Sequence, residues 1–476
     1  MQTLLINGAW TGAVSGATRC IDNPATREPV EIVSEGGLDD ARRAVAAAKA
    51  AQPAWHRLPA AEKGRLLADV AARIRADAQA LSALITRETG SPLSESADCV
   101  SWAAACFESC GAGPCAGHDQ SGLAGLAPDS RGGMPDVMAS LGSFHCPMLL
   151  LASSIAPALA ASKAVICMPP PETSLSNLKL AEAYEGLPPG IVNVVTGGPE
   201  IERALIGDPE VALVTWAGPQ WASRELARGA GPGKLHLETT ATGPAIVLGD
   251  ADFDLAVPGA AWERLRRCGQ DGASGRRIYV QASRAAEFAD RIHEYIAFLE
   301  VGDPIKPDTD LGPLVSLEAA RRLEAQVAYA AKEGARLKLG GRCFRPWGLP
   351  GHFFQPTILT DVRPGSAAAR EEMFGPVLLI IPVASDEEAL RLALEDGRSG
   401  AASVYTSAPA RAQQAVESSG RMARWMPDEP SGPEAAWGGG RPRWQPPAQA
   451  QFEHIATRKP WWFPYKDRRP CPPSKT

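Results

Sequence analysis

The feature that most constrains this chain is an alternation of short apolar runs with helical periodicity. A helical pattern from Leu149 through Ala161 leads into Ala164-Val165-Ile166-Cys167, apolar at every position. A helical stretch near Ser174–Tyr184 follows, then Leu187-Pro188-Pro189-Gly190 and the run Ile191–Val195. A further run, Val211–Trp216, precedes a helical stretch over Ala222–Arg228. Strands that are apolar throughout are buried on both faces, and helices between them supply the crossovers of a parallel sheet. A second α/β region extends from about Pro244 to Thr406. The fold class expected is therefore α/β.

The flanks carry other signals. Residues 1–35 show strand and turn patterns, including Asn23-Pro24-Ala25-Thr26. Asp39–Ala51 is alanine-rich and helical. Ala60–Thr89 reads as one longer helix through Leu66, Leu67, Val70, Ile74, Leu81 and Ile85, stopped by Gly90-Ser91-Pro92. A third helical run, Glu95–Ser109, meets a Gly/Pro/Ser-rich stretch, Gly111–Gly133, readable as a linker or as a loop-rich hairpin. The tail from Pro427 is rich in Pro, Gly and Trp, with one strand candidate at Gln451–Tyr465.

At 476 residues the chain has room for two or three domains. Its net charge of −6 and lack of a basic block argue against nucleic acid or a membrane surface as the main partner. The longest apolar stretch, Pro147–Ile166, is interrupted by serines, Pro157 and Lys163, which fits a buried helix better than a membrane span. The first residues lack the basic start and apolar run of a signal peptide, so a cytoplasmic protein is expected. Of ten cysteines, Cys106, Cys110 and Cys115 lie closest together, but no second CxxC-type pair accompanies them. Ordinary cytosolic thiols are expected, and no metal.

Collinear motifs carry a family resemblance. Ile6-Asn7-Gly8, Asn23-Pro24-Ala25-Thr26, Leu187–Gly197, Pro244–Leu248, Gly302-Asp303-Pro304, Leu311-Gly312-Pro313-Leu314 and Glu371–Val377 occur in order, together with Gly269-Gln270-Asp271-Gly272. In this order they resemble the aldehyde dehydrogenase superfamily over nearly the whole chain. The resemblance implies a Rossmann-like dinucleotide-binding domain over residues 1–115 and 138–237, and a catalytic α/β domain over 238–430. It also implies a small oligomerisation β segment, a hairpin and strand over 116–137 and 448–466, before a tail at 467–476. Trp461, Trp462 and Phe463 would be interface anchors there.

The family's reaction needs a cysteine thiolate, an oxyanion hole, NAD(P) and a glutamate that activates water. The nucleophile position falls on Gly272, which has no side chain to react. Cys268 lies four residues earlier, an extended reach on the order of 13 Å, and reads as a structural thiol. The oxyanion asparagine falls on His145 of Ser143-Phe144-His145-Cys146-Pro147; an imidazole can donate a hydrogen bond or move a proton near neutrality. The base glutamate is kept as Glu238, but its following glycines and lysine are lost.

The cofactor positions have also changed. The lysine and glutamate that hold the adenosine ribose fall on Met168 and Pro171. The segment beneath the pyrophosphate reads Trp216-Ala217-Gly218-Pro219: Gly218 is kept, while Pro219 lacks an N–H donor. Glu372 and Phe374 survive at the nicotinamide-ribose and ring positions.

The leading expectation is a pseudoenzyme of the dehydrogenase fold with no or weak NAD(P) binding. It would act as a homo-oligomer, or as a structural or regulatory partner of a related protein. One alternative is a repurposed non-redox enzyme using His145 and Glu238 in proton transfer, as in an isomerase, cyclase or hydrolase acting on a small molecule. Another is a weakly active NAD(P)-dependent dehydrogenase working through Glu372 and Phe374.

Overall fold

The computed structural model describes residues 3–111, 137–218, 226, 234–239, 243–271, 277–395, 402–408, 410–412 and 423–426. Two compact units divide at Thr240/Ala241, the first also including Pro304–Pro307.

In the first unit β1 (Leu4–Ile6) and β2 (Ala9–Thr11) form a hairpin, and β3 (Thr18–Asp22) pairs antiparallel with β4 (Pro29–Ser34). Four helices follow: α1 (Leu38–Arg57), α2 (Ala60–Ala76), α3 (Ala78–Thr89) and α4 (Leu93–Gly111). Next come β5 (Val137–Leu141), α5 (Pro147–Ala160), β6 (Ala164–Met168) and the single-turn 3₁₀ helix Pro171–Thr173. The unit closes with α6 (Leu175–Ala181), β7 (Val192–Val194), α7 (Pro199–Gly207), β8 (Leu213–Gly218) and β9 (Leu235–Thr239).

One seven-stranded sheet runs β2-β1-β7-β6-β5-β8-β9, parallel from β7 to β9. Every residue of β5 and β6 is buried, as a parallel sheet covered on both faces requires. The helical stretch expected at Ala222–Arg228 lies outside the described residues apart from residue 226.

Four boundaries differ from the sequence reading. The single helix expected over Ala60–Thr89 is two, broken at Asp77, whose ψ of 15° leaves the helical region. Ile74 and Leu81 are one heptad apart and both buried, so the apolar period runs through the break and conceals it. Helix α1 runs past Ala51 and through Pro53, because Trp55 is fully buried and donates its Nε1–H to the Leu159 carbonyl at 3.0 Å. The unit division at Thr240 falls after Glu238 rather than before it. The ladder between β9 and β8 keeps Glu238 in the first unit, opposite Ala217. Val137, expected at the end of a hairpin, opens the buried strand β5; residues 116–136 and 448–466 lie outside the described residues.

The second unit builds another seven-stranded sheet. Its strands are β10 (Pro244–Val247), β11 (Arg277–Gln281), β12 (Arg336–Leu339), β13 (Thr357–Thr360), β14 (Val377–Val383), β15 (Ala402–Tyr405) and β16 (Ala423–Met426). The order is β12-β13-β14-β11-β10-β15-β16, parallel except at the β12 edge. Its helices include α8 (Phe253–Leu265), α9 (Ala282–Ala297) and α10 (Leu317–Lys332). Cys268 sits in the apolar core with Ile246, Leu314, Phe354 and Val377, in keeping with its reading as a structural thiol. No described helix is long and apolar enough to cross a membrane.

A buried carboxylate ties α3 to α6. Glu88 accepts from the backbone N–H groups of Leu175 at 2.8 Å and Ser176 at 3.1 Å. Burial pushes its carboxyl up to about 8. The folded chain therefore holds a proton on Glu88 that the unfolded chain releases near the ordinary carboxyl range. The stability from Glu88 is complete below that range and is lost as the pH rises through about 8. Melting temperatures measured from pH 5 to 9 are expected to fall less steeply for Glu88→Gln than for the natural chain, by an amount corresponding to a few kcal/mol. Identical slopes would contradict this assignment.

Candidate active site

The first parallel sheet has a topological switch. From β5 the chain moves outward through β6 to β7, then returns to the other side of β5 as β8. Sheets of this kind bind ligands in the crevice at the carboxyl ends of the strands flanking the switch. In the chain, Leu141-Gly142-Ser143 and Gly218 end those two strands.

Several residues singled out from sequence fall at this edge. Met168 closes β6 and is buried. Pro171 opens the 3₁₀ turn after it, half-buried, and the next residue, Glu172, is exposed. Gly218 closes β8, and Glu238 occupies the penultimate position of β9. His145 lies in the turn between β5 and α5, and is buried. Its Nδ1 is 2.8 Å from the Ser143 hydroxyl, a hydrogen bond whose donor depends on the ring tautomer. Sequence register thus brings Met168, Pro171, Gly218, Glu238 and His145 to one sheet edge. Gly272 and Pro219 lie outside the described residues.

Trp216 was named with this segment, but the position of its side chain was not anticipated. A Cβ built on Gly218 would lie 2.5 Å from the six-membered ring of Trp216, so the indole occupies the space beside the Gly218 backbone. A tryptophan at the first position of Trp216-Ala217-Gly218-Pro219 was the available signal; its direction along the strand was not readable from spacing.

In the second unit the segment before Gly272 is tightly held. Arg267, Cys268 and Gly269 have φ of 49°, 55° and 68°, a left-handed turn that closes α8. Asp271 pairs with Arg266 and Arg267, each at 2.5 Å, in a nearly solvent-free cluster. Gln270 donates to the Pro313 carbonyl at 3.3 Å and accepts from the Val315 N–H at 2.9 Å. Glu372 and Phe374 are half-buried; the Glu372 carbonyl accepts from Gln326 at 3.1 Å.

Arg264 is the residue that sequence reasoning missed here. It is fully buried, and its guanidinium donates to the carbonyls of Val377 at 2.5 Å, Gly269 at 3.2 Å, Met373 at 2.8 Å, and Gly375. One side chain thereby joins the Gly269-Gln270 segment to the Met373–Val377 segment. Its sequence carried no distinguishing signal, since Glu263 stands beside it and Arg266 and Arg267 follow closely. Cys106 and Cys110 are buried on α4, while Cys115 lies outside the described residues.

Comparison with known proteins places this geometry. The model described as the aldehyde dehydrogenase family matches residues 10–440. The chain is 32% identical over 419 residues to betaine aldehyde dehydrogenase of Mesorhizobium japonicum, covering 86% of each protein. It is 32% identical over 413 residues to glutarate-semialdehyde dehydrogenase of Pseudomonas aeruginosa, covering 85% of this chain and 84% of the relative. Among solved structures, lactaldehyde dehydrogenase from Escherichia coli matches with a TM-score of 0.82 at 29% identity, over 92% of this chain and 94% of that one. PnpE from Pseudomonas sp. WBC-3 matches with a TM-score of 0.82 at 28% identity, over 96% of each chain.

Proposed function

The chain belongs to the aldehyde dehydrogenase family, and on that premise we propose that it is a member without thiol-dependent aldehyde oxidation. The observation that carries this reading is the joint loss of the reacting group and of the cofactor's anchors. Gly272 offers no sulfur to attack an aldehyde. At the carboxyl end of β6, buried Met168 and half-buried Pro171 supply neither charge nor a side-chain hydrogen-bond donor, so these residues do not fit an adenosine ribose held there. Trp216 takes up space beside Gly218, and Pro219 lacks an N–H. Each hydrogen bond lost to a charged group is worth about 1.5–3 kcal/mol, so two or three losses weaken NAD(P) binding by roughly 10²–10⁵-fold. A family scaffold without its chemistry suits a structural or regulatory partner, in a homo-oligomer or beside an active relative.

The purified full-length protein tests this directly. With NAD⁺ or NADP⁺ and a panel of aldehydes, no reduced cofactor is expected to form, and calorimetric titration at millimolar cofactor is expected to show no saturable heat. Gly272→Cys is expected to leave both results unchanged, because the sheet-edge losses remain. Turnover by the natural chain on the order of 1 s⁻¹ would overturn the reading. Turnover by Gly272→Cys alone would show the cofactor edge to be intact.

His145 and Glu238 favour a second reading. They lie at the same edge of one sheet, and His145 keeps a hydrogen-bonded imidazole. Such a pair suits proton transfer in an isomerisation, cyclisation or hydrolysis. A turnover found by substrate screening that survives both His145→Ala and Glu238→Ala would remove this reading.

A further inference from the structure

We propose that Cys99 and Cys146 form an oxidisable dithiol site that closes to a disulfide when a small peroxide reaches it. Cys99 lies within α4, and Cys146 is the N-cap residue of α5, next to His145. Their sulfurs are 3.2 Å apart, with the two residues 2% and 4% exposed. A disulfide needs about 2.05 Å, so the pair closes with a relative movement of roughly 1.2 Å.

The two sulfurs have different surroundings. Cys146 stands at the amino end of a 14-residue helix, where the backbone dipole stabilises negative charge developing on the sulfur during attack. Cys99 lies inside a helix, without that field. The Cys146 sulfur therefore attacks a peroxide oxygen, breaking the O–O bond and forming a sulfenic acid; the departing hydroxide takes up a proton and leaves as water. The Cys99 sulfur then attacks the Cys146 sulfur, forming the S–S bond and displacing hydroxide, which takes the Cys99 proton as a second water. Two thiols lose two electrons in all, and one peroxide is reduced to two waters. Burial of both sulfurs selects hydrogen peroxide over bulky oxidants. Oxidation would tether the turn carrying Ser143 and His145 to α4.

The experiment uses the folded full-length chain and no turnover, so it is independent of the dehydrogenase reading. Protein treated with hydrogen peroxide is quenched, alkylated in denaturant and mapped by mass spectrometry without reduction. A Cys99–Cys146 linked peptide is expected to rise with peroxide dose and to vanish on adding a reductant. In Cys99→Ser treated with peroxide, dimedone added with the denaturant is expected to trap Cys146 as its sulfenic acid. Exposed Cys343 serves as the internal oxidation control. If Cys343 oxidises while Cys99 and Cys146 are both recovered fully alkylated, or if Cys146 links to another cysteine, the proposal fails. Should Cys99→Ser not fold, the map of the natural chain decides alone.

Discussion

Arg264→Met is expected to destabilise the second unit by about 3–5 kcal/mol, read as a lower urea midpoint with an unchanged slope. Methionine approximates the volume but donates nothing. Four carbonyls, on Gly269, Met373, Gly375 and Val377, would lose the donor they share. A buried acceptor left without its donor costs about 1–3 kcal/mol, and removing a buried cation offsets part of the total. Arg264→Lys is expected to fall between the two, because an ammonium is a single point of donation and cannot span four acceptors in a fixed fork. A loss below about 1 kcal/mol for Arg264→Met would mean that the carbonyls find other donors, and the clasp assigned to Arg264 would be wrong.

Gly269→Ala is expected to cost as much or more. Gly269 has φ +68°, and a Cβ there would lie 2.0 Å from the Gly375 carbonyl oxygen and 2.3 Å from its carbon. Both are backbone atoms and cannot swing aside like a flexible side chain. The left-handed conformation alone costs roughly 1–2 kcal/mol for a residue with a Cβ. Displacing Gly375 also disturbs the Gly375 N–H bond to the Gly269 carbonyl at 3.1 Å and the Arg264 contacts, so a total of about 3–5 kcal/mol is expected. Gly348→Ala is the control: φ is +78° and nothing lies within 4 Å of its Cβ, leaving strain alone. Equal losses at the two positions would show that the clash is relieved without cost.

Arg264 and Gly269 show how two of the family-like motifs are built into the packing of the second unit. Gly269-Gln270 and Met373–Val377 are joined through Arg264 and through each other's backbone, and Met373 and Val377 lie in the apolar core.

Much of the scaffold was legible in the chain itself. Short, largely apolar runs separated by helical periods imply buried parallel strands, and the parallel core of the first sheet follows from that rule. The family resemblance named Met168, Pro171, Gly218, Glu238 and His145, and the strand topology brings them to one sheet edge, because consecutive parallel strands end on the same side.

Other features needed the coordinates. The break at Asp77 was hidden because apolar spacing is preserved across it. Trp216 could be read as a bulky residue, but not as one folded beside Gly218. Arg264 and the Cys99–Cys146 pair depend on residues 113 and 47 positions apart, respectively. The sequence by itself determined the α/β class, the strand–helix alternation of the first unit, and the absence of a sulfur at Gly272. Only the tertiary structure decided which carbonyls surround Arg264 and which sulfur faces Cys146. Periodicity reports the burial of a residue's own face, whereas a contact between distant residues depends on how separate elements pack.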